Sequence, residues 1–285
     1  MALLVGAAAG ILVGYKGEKM SVFTVTTTTI TAVSSLKLAC TYLASQYQSP
    51  MKLIFASPND GRYFLYSDNF LAARALSADC GNSDHFQNIN ESINSVLNQY
   101  NPSKIPNQYM ALECRGPYFN ASKDYDLSNF TWTTINNQTG TLNDSYADIA
   151  FLGVYFDDVC NHNSSEALSL FNVTAQMYKN NTGFIDAAYL DPTSPSYHQY
   201  QTYKLALYIF TAGILNQTVP LSAIRNLIRM QAGGFDTGGF YTGYDASFSN
   251  DGTSTNTETT SLAIMALTSI YMKLPTTTAT FRPFP

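Results

Sequence analysis

The chain has 285 residues, enough to bury a sizeable core as one large domain or two small ones. Its hydrophobic fraction of 45% excludes wholesale disorder, while a charged fraction of 12% is about half of the roughly 25% usual in soluble domains. A net charge of −5 without a basic run argues against binding nucleic acid through phosphates. Three His and four well-spaced Cys, with no CxxC or HExxH, argue against structural zinc or haem, and no cofactor is expected.

The chain opens on an apolar run, Ala2 to Tyr15, ended by Lys16-Gly17-Glu18-Lys19. It is shorter than the ~20 residues that span a bilayer, and it suits the apolar region of a secretory signal. Gly6, Gly10 and Gly14 share one helical face, so a packed membrane anchor is the other reading. Residues 16–31 then read as a Thr-rich linker, with Thr24 to Thr31 at its centre.

Helical periodicity dominates from there on. Leu36, Cys40, Leu43 and Tyr47 recur on one face, as do Leu221, Ile224, Leu227 and Ile228. The pattern predicts helices near 33–48, 67–79, 84–99, 146–159, 164–179, 198–214, 221–231 and 257–272. Residues 101–143 lack this period and carry alternating stretches, which predicts a small β-rich insertion. Residues 273–285 form a Pro/Thr-rich tail.

An internal repeat organises the helices. Tyr66-Ser67-Asp68 leads to Cys80 with the same spacing as Tyr146-Ala147-Asp148 to Cys160. Weaker copies begin at Tyr200-Gln201-Thr202 and Asn256-Thr257-Glu258-Thr259. Gly-aromatic loops precede three of the four: Gly61-Arg62-Tyr63, Gly183-Phe184 and Gly233-Gly234-Phe235. Four helical hairpins, each an outer helix and then an inner one, describe a mainly α fold: an incomplete α/α toroid over residues 32–272.

N-x-[ST] acceptors occur at Asn90, Asn120, Asn129, Asn137, Asn143, Asn163, Asn172, Asn180 and Asn216. Nine such sites within residues 90–216 read as an exported surface carrying N-glycans. In an oxidising compartment Cys40, Cys80, Cys114 and Cys160 then form two disulfides. Cys80 and Cys160 hold equivalent positions in the repeat, which favours Cys80–Cys160 with Cys40–Cys114, though four Cys allow three connectivities. The scarcity of carboxylates also predicts a stability that changes little between neutral pH and about 3.

Two resemblances follow from these features. The loop from Gly233-Gly234-Phe235 through Tyr241-Thr242-Gly243-Tyr244-Asp245, followed by Asn256-Thr257-Glu258-Thr259-Thr260, resembles the last hairpin of α/α-toroid, six-hairpin-glycosidase-like secreted proteins. The low-charge, Thr- and Asn-rich composition is similar in style to surface proteins of thermoacidophilic archaea. The complete glycosidase barrel has six hairpins, and this chain has four.

The resemblance implies parallel inner helices whose N-termini converge on one cleft. That places Asp68, Asn69, Asp148, Gln201, Thr202, Glu258 and Thr259 around it, with Tyr63, Tyr66, Phe235, Tyr241 and Tyr244 at the rim. As an enzyme the protein would cleave glycosidic bonds as a glycoside hydrolase or polysaccharide lyase. Asp68, Asp148, Asp245 and Glu258 would supply the carboxylates, and Tyr66, Asn69, Gln201, Tyr241 and Tyr244 would hold substrate. As a non-catalytic surface component it would bind carbohydrate or cell-envelope partners, with self-assembly or anchoring through the N-terminus. Helix capping competes for the same acids: Asp68 suits an N-cap, and Thr255-x-x-Glu258 has the spacing of a capping box.

Overall fold

The structure, a computed structural model, describes residues 22–58, 64–100, 108–114, 118–119, 122–127, 130–135, 138–139, 145–233 and 237–271. It is mostly helical, with small antiparallel sheets. Helices α1 (Val22–Ser45), α2 (Tyr66–Ala78) and α3 (Ser83–Tyr100) are followed by a 3-10 turn at Gln108–Glu113. Then come α4 (Ala147–Tyr155), extended by a π-turn at Phe156–Cys160, α5 (Ser164–Ala175) and the short α6 (Ala187–Leu190). Helices α7 (Thr202–Ile214), α8 (Leu221–Arg229) and α9 (Thr257–Tyr271) complete the set. The segment Thr24 to Thr31, expected to be linker, is therefore helical. Once the Ala32-to-Leu43 face of α1 docks, propagating the helix backwards is far easier than nucleating a new one.

Sequence composition sorts these helices into two kinds. In α2, α4, α7 and α9 apolar residues occur nearly all round, and such helices must be enclosed. Every residue of α4 is buried, as are Leu262 to Leu267 of α9. By contrast α8 buries a single stripe of Ala223, Asn226 and Leu227, and α3 buries Ile89 and Ile93. The enclosed helices pack in the order α4, α7, α9, α2, while α5 covers α4, α8 covers α7, α3 covers α2 and α1 lies on α9 and α2. Short hairpins follow the covering helices: β1 (Tyr47–Gln48) with β2 (Leu53–Ile54), and β7 (Tyr178–Lys179) with β8 (Gly183–Phe184). Gly183 is needed because a Cβ there would lie 2.5 Å from the Tyr200 ring. Gly238 has φ +102° against the Leu38 carbonyl, where a side chain would be both strained and obstructed.

The β-rich insertion has two ladders, with β3 (Tyr118–Phe119) on β6 (Gln138–Thr139) and β4 (Ser122–Leu127) on β5 (Phe130–Ile135). Helix α7 begins four residues later than its periodicity suggests, because β9 (Tyr200–Gln201) pairs with β11 (Gly243–Tyr244). Strand β10 (Phe240–Tyr241) pairs with β12 (Thr255–Asn256), which delivers the chain into α9. The repeat is visible at the helix ends, where Gly81, His162 and Asn216 adopt φ of 69°, 53° and 56°. The second copy takes one residue more to reach that point, and the π-turn accommodates it.

Both disulfides form, but not in the expected pairing. The bridges are Cys40–Cys80 and Cys114–Cys160, with Cα separations of 5.6 and 5.2 Å. The expected Cys80–Cys160 bridge required α2 and α4 to be packed neighbours, whereas α2 packs on α9 and α4 on α7. Segment 108–113 sits on α4 instead, and Arg74 of α2 donates to its Leu112 carbonyl at 3.0 Å. That brings Cys114 to Cys160 and leaves Cys80 to α1. Non-reducing peptide mapping should recover these two linked pairs, and a Cys80–Cys160 peptide would contradict the packing order. Opening either loop, of 40 and 46 residues, should cost about 2–5 kcal/mol.

Candidate functional site

The first turns of α2, α4, α7 and α9 meet at one end of the packed helices. Asp68 is the third residue of α2, Asp148 the second of α4 and Glu258 the second of α9. Neither Asp68 nor Glu258 caps its helix. The N-cap of α2 is Leu65, which makes no side-chain cap. In α9 Asn256 does the capping, its Oδ1 accepting the Thr259 amide at 2.8 Å. Thr255, the expected partner of Glu258 in a capping box, accepts the Tyr42 hydroxyl at 3.0 Å. Asn163 does cap α5, accepting the Glu166 amide at 3.3 Å.

The carboxylates lie close enough to influence one another, Glu258 acting on Asp68 and Asp148 on Glu258, while Asp148 accepts amides of its own first turn. Burial raises Asp68 well above the usual carboxylate range, and the charge of Glu258 raises it further, against a 3.2 Å hydrogen bond from Ser67. Burial also raises Glu258, with Asp148 adding to the shift and the donating Tyr109 hydroxyl opposing it. Asp148 is raised by burial and by Asp186, with Lys204 and the Asp148 and Ile149 amides pulling it down. Burial and the neighbouring acids push the hydroxyls of Tyr109 and Tyr203 upwards too. Asp68, Asp148 and Tyr109 are buried, while Glu258, Tyr203 and Gln201 are half-buried and reach the surface.

Three oxygens in this region are buried with no hydrogen-bond partner: Asp68 Oδ2, Thr202 Oγ1 and Thr259 Oγ1. Each belongs to the first turn of a converging helix. Behind them lies a buried ion pair, Lys204 Nζ to Asp186 Oδ2 at 2.6 Å. Asp186 also accepts the Ala147 amide at 2.9 Å and the Tyr189 amide at 3.2 Å. It therefore ties the starts of α4, α6 and α7 together. Among the described residues, no group of three or more His, Cys, Asp and Glu side chains is arranged to hold a metal ion.

Other residues expected at the cleft are engaged elsewhere. Asn69 accepts the Ile54 amide at 2.7 Å and donates to the Ile54 and Leu65 carbonyls, so it fixes β2 to α2. Tyr244 is buried, stacked on Tyr200 and donating to the Thr182 carbonyl at 2.7 Å. Tyr66 is buried beside Phe70. Asp245 is exposed, and its Oδ1 accepts the Ser247 hydroxyl and the Ser249 and Ser247 amides, which hold its own turn and lower its pKa. Their polar groups hold strands and turns of the chain itself. Tyr241 stays half-buried on β10, and Gln201 accepts the Tyr203 hydroxyl at 2.6 Å. Tyr63 and Phe235 lie outside the described residues.

Tyr109, Tyr203, Asp186 and Lys204 escaped the sequence reading. Lys204 carried a signal: a lone cation in the apolar run Tyr203 to Phe210 must find a buried acid. Tyr109 carried none, because it lies in a segment without periodicity. Of the glycan acceptors, Asn163, Asn172, Asn180 and Asn216 are exposed and Asn90 is half-buried, whereas Asn120, Asn129, Asn137 and Asn143 lie outside the described residues. Among the described residues no helix is long and apolar enough to cross a membrane. The two disulfides are compatible with secretion. Compared with protein-family models, curated proteins and solved structures, the chain matches none.

Proposed function

We propose that the chain is an exported, N-glycosylated surface protein, built as an incomplete α/α toroid, that binds carbohydrate at the convergent helix ends. The observation that carries this reading is the set of uncommitted buried oxygens there, led by Asp68 Oδ2, in helix starts that neither Asp68 nor Glu258 caps. Sugars present many hydroxyl donors, and pairing such donors with orphaned acceptors recovers about 1–3 kcal/mol for each. Glu258, Tyr203 and Gln201 form the accessible side of the site. The exposed acceptor asparagines and the oxidised cysteines support export.

A second reading is favoured by the neighbouring carboxylates. A glycoside hydrolase or lyase needs an acid kept protonated near neutral pH and a second carboxylate as base or nucleophile. Glu258 is raised and reaches the surface, which fits the proton donor, with Asp68 or Asp148 as its partner. A glycan array with a parallel hydrolysis screen tests both readings. Glu258→Gln should weaken binding about tenfold or more while the melting temperature shifts by only a few degrees. Turnover that vanishes in this variant would establish the enzyme. Unaltered glycan binding, or none in the parent protein, would remove the site.

A further inference from the structure

We infer that the cluster at the convergent helix ends is built to receive a positively charged group, so that its carbohydrate ligand is an amino sugar. The inference rests on the carbohydrate reading above and names the ligand class of that same site. Charge counting leads to it. Asp68, Asp148, Asp186 and Glu258 arrive from separate segments, and Lys204, which acts on Asp148, lies 2.6 Å from Asp186. Each of the four converging helix ends contributes roughly half a positive charge. Among the described residues, that and Lys204 leave the four carboxylates short by about one positive charge.

In the free protein burial, with a neighbouring acid adding to it, favours the protonated forms of Asp68 and Glu258. An ammonium group can take the proton's place. It brings one charge and three donors, where a neutral hydroxyl brings one donor and no charge. The unpartnered atoms are all oxygens: Asp68 Oδ2 on a side chain from a residue 1% exposed, and Thr202 Oγ1 and Thr259 Oγ1 from fully buried residues. A charge-assisted bond to a carboxylate is about twice as strong as a neutral one.

Isothermal titration calorimetry of the full chain tests this with a matched pair of probes, the β-1,4-linked glucosamine tetramer and its N-acetylated counterpart. The amine form should bind about tenfold more tightly or better, and repeating the titration in buffers of different ionisation enthalpy should show protons released on binding. Asp68→Asn should abolish the preference, and Glu258→Gln serves the same purpose if that variant does not fold. Equal binding of the two tetramers, or binding only of the neutral one, would overturn the amine assignment and leave the carbohydrate reading standing. If neither tetramer binds but the array gives a neutral glycan, the assignment also fails. Absence of any glycan ligand removes both.

Discussion

Lys204→Met should lower the free energy of unfolding by about 3–5 kcal/mol, measured by chemical denaturation near neutral pH. Methionine keeps most of the volume and the helix propensity, so the loss isolates the charge. The lysine and its partner Asp186 have side chains only 3% and 0% exposed, at 2.6 Å. Removing the cation strands a carboxylate that still holds the Ala147 and Tyr189 amides. It also withdraws the charge that restrains Asp148. Asp186→Leu in the same background should recover only part of the loss, because those two amides then lose their acceptor. A loss below about 1 kcal/mol would mean that the pair is solvated.

The second large effect is one of pH, and its sign runs against the composition argument. Few carboxylates suggested a stability almost independent of pH. Asp68, Asp79, Asp148 and Glu258 all have folded values above their ordinary ones, so the folded state holds protons that the unfolded chain releases. Stability is fully present below the unfolded value near 4 and is lost as pH rises through each folded value. Unfolding free energy should therefore increase as pH falls from neutral to about 4. Asp79, held at about 6 mainly by burial, contributes at most about 3 kcal/mol of this between pH 6 and 4. Asp68→Asn should flatten the upper part of the profile and stabilise the protein at pH 7. A denaturation series that is level or falls towards acid would contradict the raised acids.

Much of the architecture was legible because helices are written locally. A 3.6-residue period needs only a short window, and it located α2, α3, α8 and α9 to within a few residues. The repeat placed Asp68, Asp148 and Glu258 near equivalent helix starts, and in the structure Glu258 acts on Asp68 and Asp148 on Glu258. What a local window cannot hold is competition for partners. The spacing of Thr255 and Glu258 suits a capping box, yet Asn256 is one residue nearer the first turn and takes the amide. Asn69 looked like a ligand residue for the same reason, until Ile54 of β2 and the Leu65 carbonyl claimed its amide.

By itself the sequence determined which helices are enclosed and which cover them, since all-round apolar helices cannot face water while striped ones can. It also determined that acids stand in the first turns and that the cysteines number two pairs. Only the tertiary structure decided how the helices follow one another around the core. That order put α9 between α2 and α7, let segment 108–113 settle on α4, and so joined Cys114 to Cys160 and Tyr109 to Glu258. Such contacts link residues 46 and 149 positions apart. They are set by which surfaces exclude water best when all the helices pack at once, a global minimum that no single stretch of chain encodes.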